Sequence, residues 1–160
     1  VSKAFYEIQK EVPSKLLMVG DGPERMNAEN LVTELGITDK VIFLGNSNEV
    51  AKILCYTDVF LLPSETESFG LAALEAMAAC TAVISTNTGG LPEVNIHGKT
   101  GYLSNLGDVA DMAKNAISIL KDDAILEEFK ANAKAHTKLF SLENILPVYE
   151  DLYKSCSVRV

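Results

Sequence analysis

Short, mainly apolar runs alternate with longer amphipathic stretches along this chain, and that alternation limits its fold more than any other feature. The apolar runs occupy 15–20, 41–44, 58–62, 82–85 and 101–103. Runs this short, apolar at nearly every position, suit strands covered on both faces. Between them, 24–35, 48–56 and 69–79 carry helix formers with apolar residues at helical spacing, and Gly36 and Pro63 act as stops. Pro92 is placed to open a further short helical turn. From Gly107 onward the pattern is entirely helical, over 109–120, 123–139 and 141–153. Ser141 is the expected N-cap of the last helix, with Glu143 in its first turn, where a negative charge suits the helix dipole. Strands alternating with helices imply an α/β fold with a parallel sheet and right-handed crossovers.

The start of the chain departs from that pattern. Residues 1–11 read as the last turns of a helix, with Phe5 and Ile8 apolar and no strand before them. A doubly wound domain ordinarily opens with a strand and a phosphate-facing loop. The expectation is that this N-terminal strand is missing. The 160 residues are enough for one domain. A chain 48% hydrophobic and 22% charged is not disordered. Its net charge of −8 argues against a nucleic acid or an anionic membrane as partner. No apolar run approaches the ~18 residues of a membrane span, and the first residues lack a signal-peptide pattern. Cys55, Cys80 and Cys156 form no C-x-x-C, and His97 and His136 are too few for a histidine metal site. The reading is of reduced thiols, a cytoplasmic setting and no metal.

Ligands of open parallel sheets sit beyond the carboxyl ends of the strands. The loops there are 20–23, 45–47, 63–70 and 86–90, all rich in glycine and small polar residues. Gly20, Asp21 and Gly22 lack the third glycine of a dinucleotide fingerprint, which leaves a tight turn or some other phosphate- or base-facing loop. Glu67 lies just before a helix whose first turn is expected to comprise Ser68, Phe69, Gly70 and Leu71. Unpaired amides at such a start suit a phosphate or hydroxyl oxygen. Leu71, Leu74, Glu75 and Ala78 follow helical spacing, so Glu75 is expected on an otherwise apolar face. A carboxylate buried there needs hydrogen bonds. A sugar diol would donate two; a backbone partner or the solvent edge would serve instead. Gly89 and Gly90 precede a second helix start and offer either backbone access to a ligand or a plain turn. No Lys or Arg occurs between Lys52 and Lys99, although Asp58, Glu65, Glu67, Glu75 and Glu93 all do. A diphosphate would find amides here but no side-chain cation, so either the ligand is neutral or its cations come from elsewhere.

Taken together, these loops resemble one family. The stretch Pro63-Ser64-x-x-Glu67-x-Phe69-Gly70-Leu71-x-x-Leu74-Glu75-Ala76-Met77-Ala78 is similar to the E-x7-E signature of retaining GT-B glycosyltransferases of family 4. Further blocks match in order: Val19 to Glu24; Phe43, Leu44 and Gly45; Gly89 to Val94; and His97 to Leu103. The likeness runs over 16–153 and implies a Rossmann-like domain, the donor-binding half of a GT-B enzyme spanning 1–160, with the acceptor domain absent from the chain.

The resemblance implies roles position by position. Glu67 would be the catalytic-site residue that contacts hydroxyls of the donor sugar, and Glu75 would hold the ribose diol. Amides of Ser68, Phe69, Gly70 and Leu71 would meet the sugar and diphosphate. Asn46 would flank the uracil, and Gly20 and Gly22 would line the nucleotide cleft. The donor would be a UDP-sugar, transferred with retention and without cofactor or metal. Within the family the likeness is nearest to a bacillithiol-pathway branch, which implies N-acetylglucosamine as the sugar and a small acceptor such as L-malate. The diphosphate-binding cations would lie upstream of Val1, so the chain alone is expected to be inactive and, with an open sheet edge, to self-associate. One departure is visible: Ala79, Cys80, Thr81 and Ala82 stand where the family has Cys-Gly-x-Pro, and Cys80 must make a turn that glycine makes freely. Two other readings stay open, a stand-alone nucleotide-sugar-binding module and a flavodoxin- or receiver-like signalling domain.

Overall fold

The computed structural model describes residues 1–157. Helix α1 (Ser2–Glu11) leads into β1 (Leu16–Val19), α2 (Arg25–Glu34), a 3-10 turn (Thr38–Lys40), β2 (Val41–Gly45) and α3 (Val50–Cys55). Then come β3 (Val59–Leu62), α4 (Leu71–Ala78), β4 (Ala82–Thr86), α5 (Leu91–Val94) and β5 (Gly101–Ser104). Helices α6 (Val109–Leu120), α7 (Asp123–Thr137) and α8 (Leu142–Ser157) complete the described chain, with a 3-10 turn (Lys138–Phe140) before the last. No described helix is long and apolar enough to cross a membrane.

All strand pairs are parallel, as the alternating pattern implies, but they form two hydrogen-bonded groups. In one, Leu16 lies opposite Val41 and Met18 opposite Phe43. In the other, β4 is central, with Val59 opposite Ala82 and Val83 opposite Gly101. Helix α1 lies across both groups. Its Ala4 and Ile8 pack with Ala82 and Ile84 of β4 and with Met112, Ala116 and Ile119 of α6, while its Phe5 packs with Val32, Ile37 and Val41. The helical reading of Phe5 and Ile8 is thus borne out.

Strand β4 is buried at every position. Successive side chains of a strand point to opposite faces, so Ala82 and Ile84 meet α1 and α6 while Val83 meets Ala73, Ala76 and Met77 of α4 and Leu91 of α5. Coverage on both faces does not extend to the β1–β2 pair. Leu16, Met18 and Phe43 pack beneath α1 and α2, but Leu17, Val19, Ile42 and Leu44 remain 40–42% exposed. No described helix closes over that side, so the expectation drawn from apolar runs holds for the centre of the fold and fails at this pair.

Buried polar groups lock β5 onto β4. The Asn95 amide donates to the Val83 and Tyr102 carbonyls and to the Ser85 hydroxyl, at 3.0–3.2 Å. Its oxygen accepts from the Thr100 hydroxyl at 2.9 Å. These bonds satisfy an amide that would otherwise be costly to bury.

Several helix bounds differ from the sequence expectation. Helix α3 is shorter than 48–56, and 123–139 resolves into α7 and the 3-10 turn. At α8, Ser141 stands just before the helix as expected. Hydrogen bonds from the Glu143 amide and the Ser141 hydroxyl hold the Glu143 carboxyl below its ordinary pKa.

Helix α4 ends in a left-handed turn at Cys80, the sole non-glycine residue with positive φ (62°) among those described. A side chain in this region costs about 1–2 kcal/mol relative to glycine, offset in part by the greater freedom glycine has when unfolded. Cys80→Gly is therefore expected to stabilise the chain by about 0.5–1 kcal/mol, read as a higher urea midpoint with an unchanged slope. An unchanged or lower midpoint would show that the cysteine is not strained.

Candidate functional site

The loops at the carboxyl ends of the strands form two interlocked pairs. In the first, the Gly20 amide donates to the Gly45 carbonyl at 2.8 Å, which joins the ends of β1 and β2. Gly22 N–H donates to the Asp21 carboxylate at 2.8 Å, and Arg25 N–H to the Gly22 carbonyl at 3.1 Å. The Gly-Asp-Gly stretch is therefore a tight turn into α2, and Gly20, Gly22 and Asn46 are exposed along its rim.

A cation that the sequence reading passed over stands beside them. Arg25 donates to Glu29 at 2.8 Å and lies 3.7 Å from Asp21. Its guanidinium rests against Gly45, where an added methyl would come within 3.3 Å of it. The bond to Glu29 raises the Arg25 pKa against the opposing effect of burial, so it stays charged. The spacing of Asp21, Arg25 and Glu29 at successive i, i+4 positions was the available signal.

The second pair joins the loops after β3 and β4. The Thr86 and Thr88 hydroxyls both donate to the Ser64 carbonyl, at 2.6 and 3.0 Å. Gly90 N–H donates to the Glu67 carbonyl at 3.1 Å. A Cβ on Gly89 would sit 1.7 Å from that carbonyl oxygen, and one on Gly90 would sit 2.7 Å from the Ser68 carbonyl oxygen. The missing side chains of Gly89 and Gly90 therefore accommodate the neighbouring backbone, which is a packing use distinct from opening a path to a ligand.

Ser68, Phe69 and Gly70 do not enter α4, contrary to the expected first turn, while Glu67 precedes the helix as expected. Gly70 adopts φ 102°, outside helical geometry, and the helix begins at Leu71. Gly70 N–H donates to the Glu67 carboxylate at 3.2 Å, so Glu67 folds back on the amides that open the helix. Among the described residues, none donates a hydrogen bond to the other Glu67 oxygen. Phe69 is 41% exposed and stands edge-on to Phe140, with centroids 5.9 Å apart. Glu65, Thr66, Glu67, Ser68 and Gly89 line an open depression of about 590 Å³.

The placement of Glu75 needs a larger correction. Leu71, Glu75 and Ala78 do share a face of α4, but that face is exposed. Ala73, Ala76 and Met77 form the buried one. Alanines let the helix approach β4 closely, so the bulkier Leu71 and the charged Glu75 are turned outward. The Glu75 carboxylate is free in solvent, with no burial cost and no hydrogen bond from the described residues. Six of the expected positions, Glu67, Ser68, Phe69, Gly70, Leu71 and Glu75, thus follow one another from the rim of the depression onto the open face of α4.

This arrangement presents amides at a helix start, one carboxylate turned to them, one free carboxylate a turn along, and an arginine at the neighbouring loop pair. It can accept hydroxyl donors and offer N–H donors to an anion.

Comparison with known proteins agrees. The family model described as glycosyl transferases group 1 matches residues 1–136. An N-acetyl-alpha-D-glucosaminyl L-malate synthase of Bacillus anthracis is 46% identical over 96% of this chain. The chain spans only 40% of that relative's length. A C-terminal domain of a glycosyl transferase group 1 protein (LpcC) from Francisella tularensis superposes with a TM-score of 0.78 at 26% identity, covering 88% of this chain and 80% of that one. The pneumococcal O-GlcNAc transferase GtfA, solved with UDP and GlcNAc, superposes with a TM-score of 0.85 over 96% of this chain and 32% of its own. At 21% identity it speaks for the fold alone. A receiver-like identity falls away on these matches. The chain belongs to the glycosyl transferases group 1 family, and its Rossmann-like α/β fold is that of GT-B glycosyltransferases.

Proposed function

We propose that this chain is the donor-binding half of a retaining glycosyltransferase, and that the whole enzyme moves N-acetylglucosamine from UDP to a hydroxyl of a small acceptor such as L-malate. The observation that carries this reading is the clamped loop pair, which holds Glu67 and the amides around Gly70 beside the free carboxylate of Glu75. Glu75 accepts from the ribose diol. The unengaged oxygen of Glu67 accepts from hydroxyls of the sugar. The amides of Ser68 to Leu71 donate to the sugar and diphosphate, with Gly20, Gly22 and Asn46 along the nucleotide. The relative's name, with both sugar and acceptor in it, supports the choice of substrates.

In the proposed reaction the bond between the anomeric carbon and the diphosphate oxygen breaks. The acceptor oxygen bonds to the same face of that carbon, and its proton passes to the leaving diphosphate. No metal enters. Charge stabilisation on the diphosphate is the largest demand of such a step, and the site loops from 53 to 98 hold no Lys or Arg. The remaining cations and the acceptor site therefore belong to the rest of the enzyme. The free thiols suit a cytoplasmic setting, and self-association through the open apolar face of β1 and β2 belongs to the same proposal.

Calorimetry tests this. The isolated chain is expected to bind UDP weakly, with Kd on the order of 1 mM, to bind ADP less well, and not to turn over UDP-N-acetylglucosamine. No UDP heat at several millimolar would refute the donor site; turnover at an ordinary rate would refute the division into halves.

A further inference from the structure

A second cavity opens at the opposite end of the sheet, where β3 and β4 begin. It measures about 520 Å³, and its lining includes Cys55, Thr57, Asp58, Cys80 and Lys130. Two of the three cysteines thus face one space, although 25 positions separate them in the chain. None of these residues takes part in the donor site.

Three hydrogen bonds fix how close the two segments lie. The Thr81 hydroxyl donates to the Leu54 carbonyl at 3.0 Å and to the Thr57 carbonyl at 3.2 Å. Ala82 N–H donates to the Asp58 carbonyl at 3.3 Å. The immediate neighbour of Cys80 is therefore bonded to the immediate neighbour of Cys55, so the two cysteines stand on adjoining segments that are tied together beside the same cavity. Cys80 also holds the only positive φ of a described non-glycine residue. Glycine is the ordinary residue for such a helix end, and a strained position that keeps a reactive side chain points to a use for it. Cys55 is exposed at the end of α3, and Cys80 is half-buried, so an external reagent reaches the first more readily.

We propose that Cys55 and Cys80 are a redox pair that closes to a disulfide across this cavity. The oxidant is a low-molecular-weight disulfide. The Cys55 thiolate attacks one of its sulfurs, forming a mixed disulfide and expelling one thiolate. The Cys80 thiolate then attacks the Cys55 sulfur and expels the second. The protein loses two electrons and two protons, and the oxidant becomes two thiols. Closure ties the carboxyl end of α3 to the turn that ends α4, at the far end of the helix that carries Glu75. The proposal stands independently of the donor reading.

In the folded chain incubated with glutathione disulfide, Cys55 and Cys80 are expected to stop titrating, with no adduct on either and a loss of two hydrogens between them, while the exposed Cys156 is free to take glutathione on its own. A non-reducing digest should join the peptides of Cys55 and Cys80, and dithiothreitol should restore all the thiols. Cys156→Ser should give the same cross-link. Cys55→Ser should leave Cys80 as a stable glutathione adduct or unreacted. Persistence of all thiols in the wild-type chain, or separate glutathione adducts on Cys55 and Cys80, would overturn the pair.

Discussion

Gly89→Ala is expected to destabilise the chain by about 3 kcal/mol, combining overpacking with a side chain in left-handed backbone, and to abolish UDP binding. The added methyl would meet the Glu67 carbonyl oxygen at 1.7 Å and its carbon at 2.8 Å, at a residue with φ +55°. Both obstacles are backbone atoms, so no side-chain rotation relieves the clash. The loop cannot simply withdraw, because Gly90 N–H, Thr86 and Thr88 all bind the facing segment. For a chain this size the loss corresponds to a fall in Tm of roughly 6–12 °C. Gly22→Ala is the control for stability alone: its added methyl meets nothing within 4 Å, and φ is not in the left-handed region. Thermal unfolding of both variants, with UDP calorimetry of Gly89→Ala against the wild-type chain, decides the matter. A Gly89→Ala chain with wild-type Tm and UDP affinity would show that the loop pair is not rigid.

The second large effect is confined to binding. Glu75→Ala should weaken UDP by about 10- to 100-fold, the net loss of one hydrogen bond to a charged acceptor at ~1.5–3 kcal/mol. Stability should stay within about 0.5 kcal/mol, because the side chain is exposed and no described residue bonds to it. This separation of binding from stability distinguishes ligand contact from a structural role. A matched loss should appear when wild-type chain is offered 2′-deoxy-UDP, and that analogue should show little further loss on Glu75→Ala. Equal UDP affinity in wild type and Glu75→Ala would remove the ribose assignment and leave the fold untouched.

Much of the fold was legible because its determinants are local. Gly36 ends α2, Pro63 stops β3, and Pro92 stands in the first turn of α5, as turn and helix-end chemistry require. The cost of placing Cys80 where glycine is usual was visible in the same way and appears as its positive φ. The start of α4 was misread by two residues because Phe69 and Leu71 continue the helical spacing, while the break comes from Gly70. Its conformation is held by the Glu67 carboxylate and by Leu91, whose Cδ2 a Gly70 Cβ would meet at 3.0 Å.

The sequence by itself determined the order of strands and helices, the loops that gather at one sheet edge, and the family. Those depend on periodicity, turn residues and motif spacing within short stretches. Tertiary structure alone decided which face of α4 is buried, since that follows from how closely Ala73 and Ala76 let the helix approach β4. It also decided that Gly89 and Gly90 answer to the backbone of Glu67 and Ser68, that Arg25 rests on Gly45, and that Cys55 and Cys80 share a cavity. Each of these joins segments distant in sequence, and the hydrogen bonds and packing that join them exist only once the layers have come together.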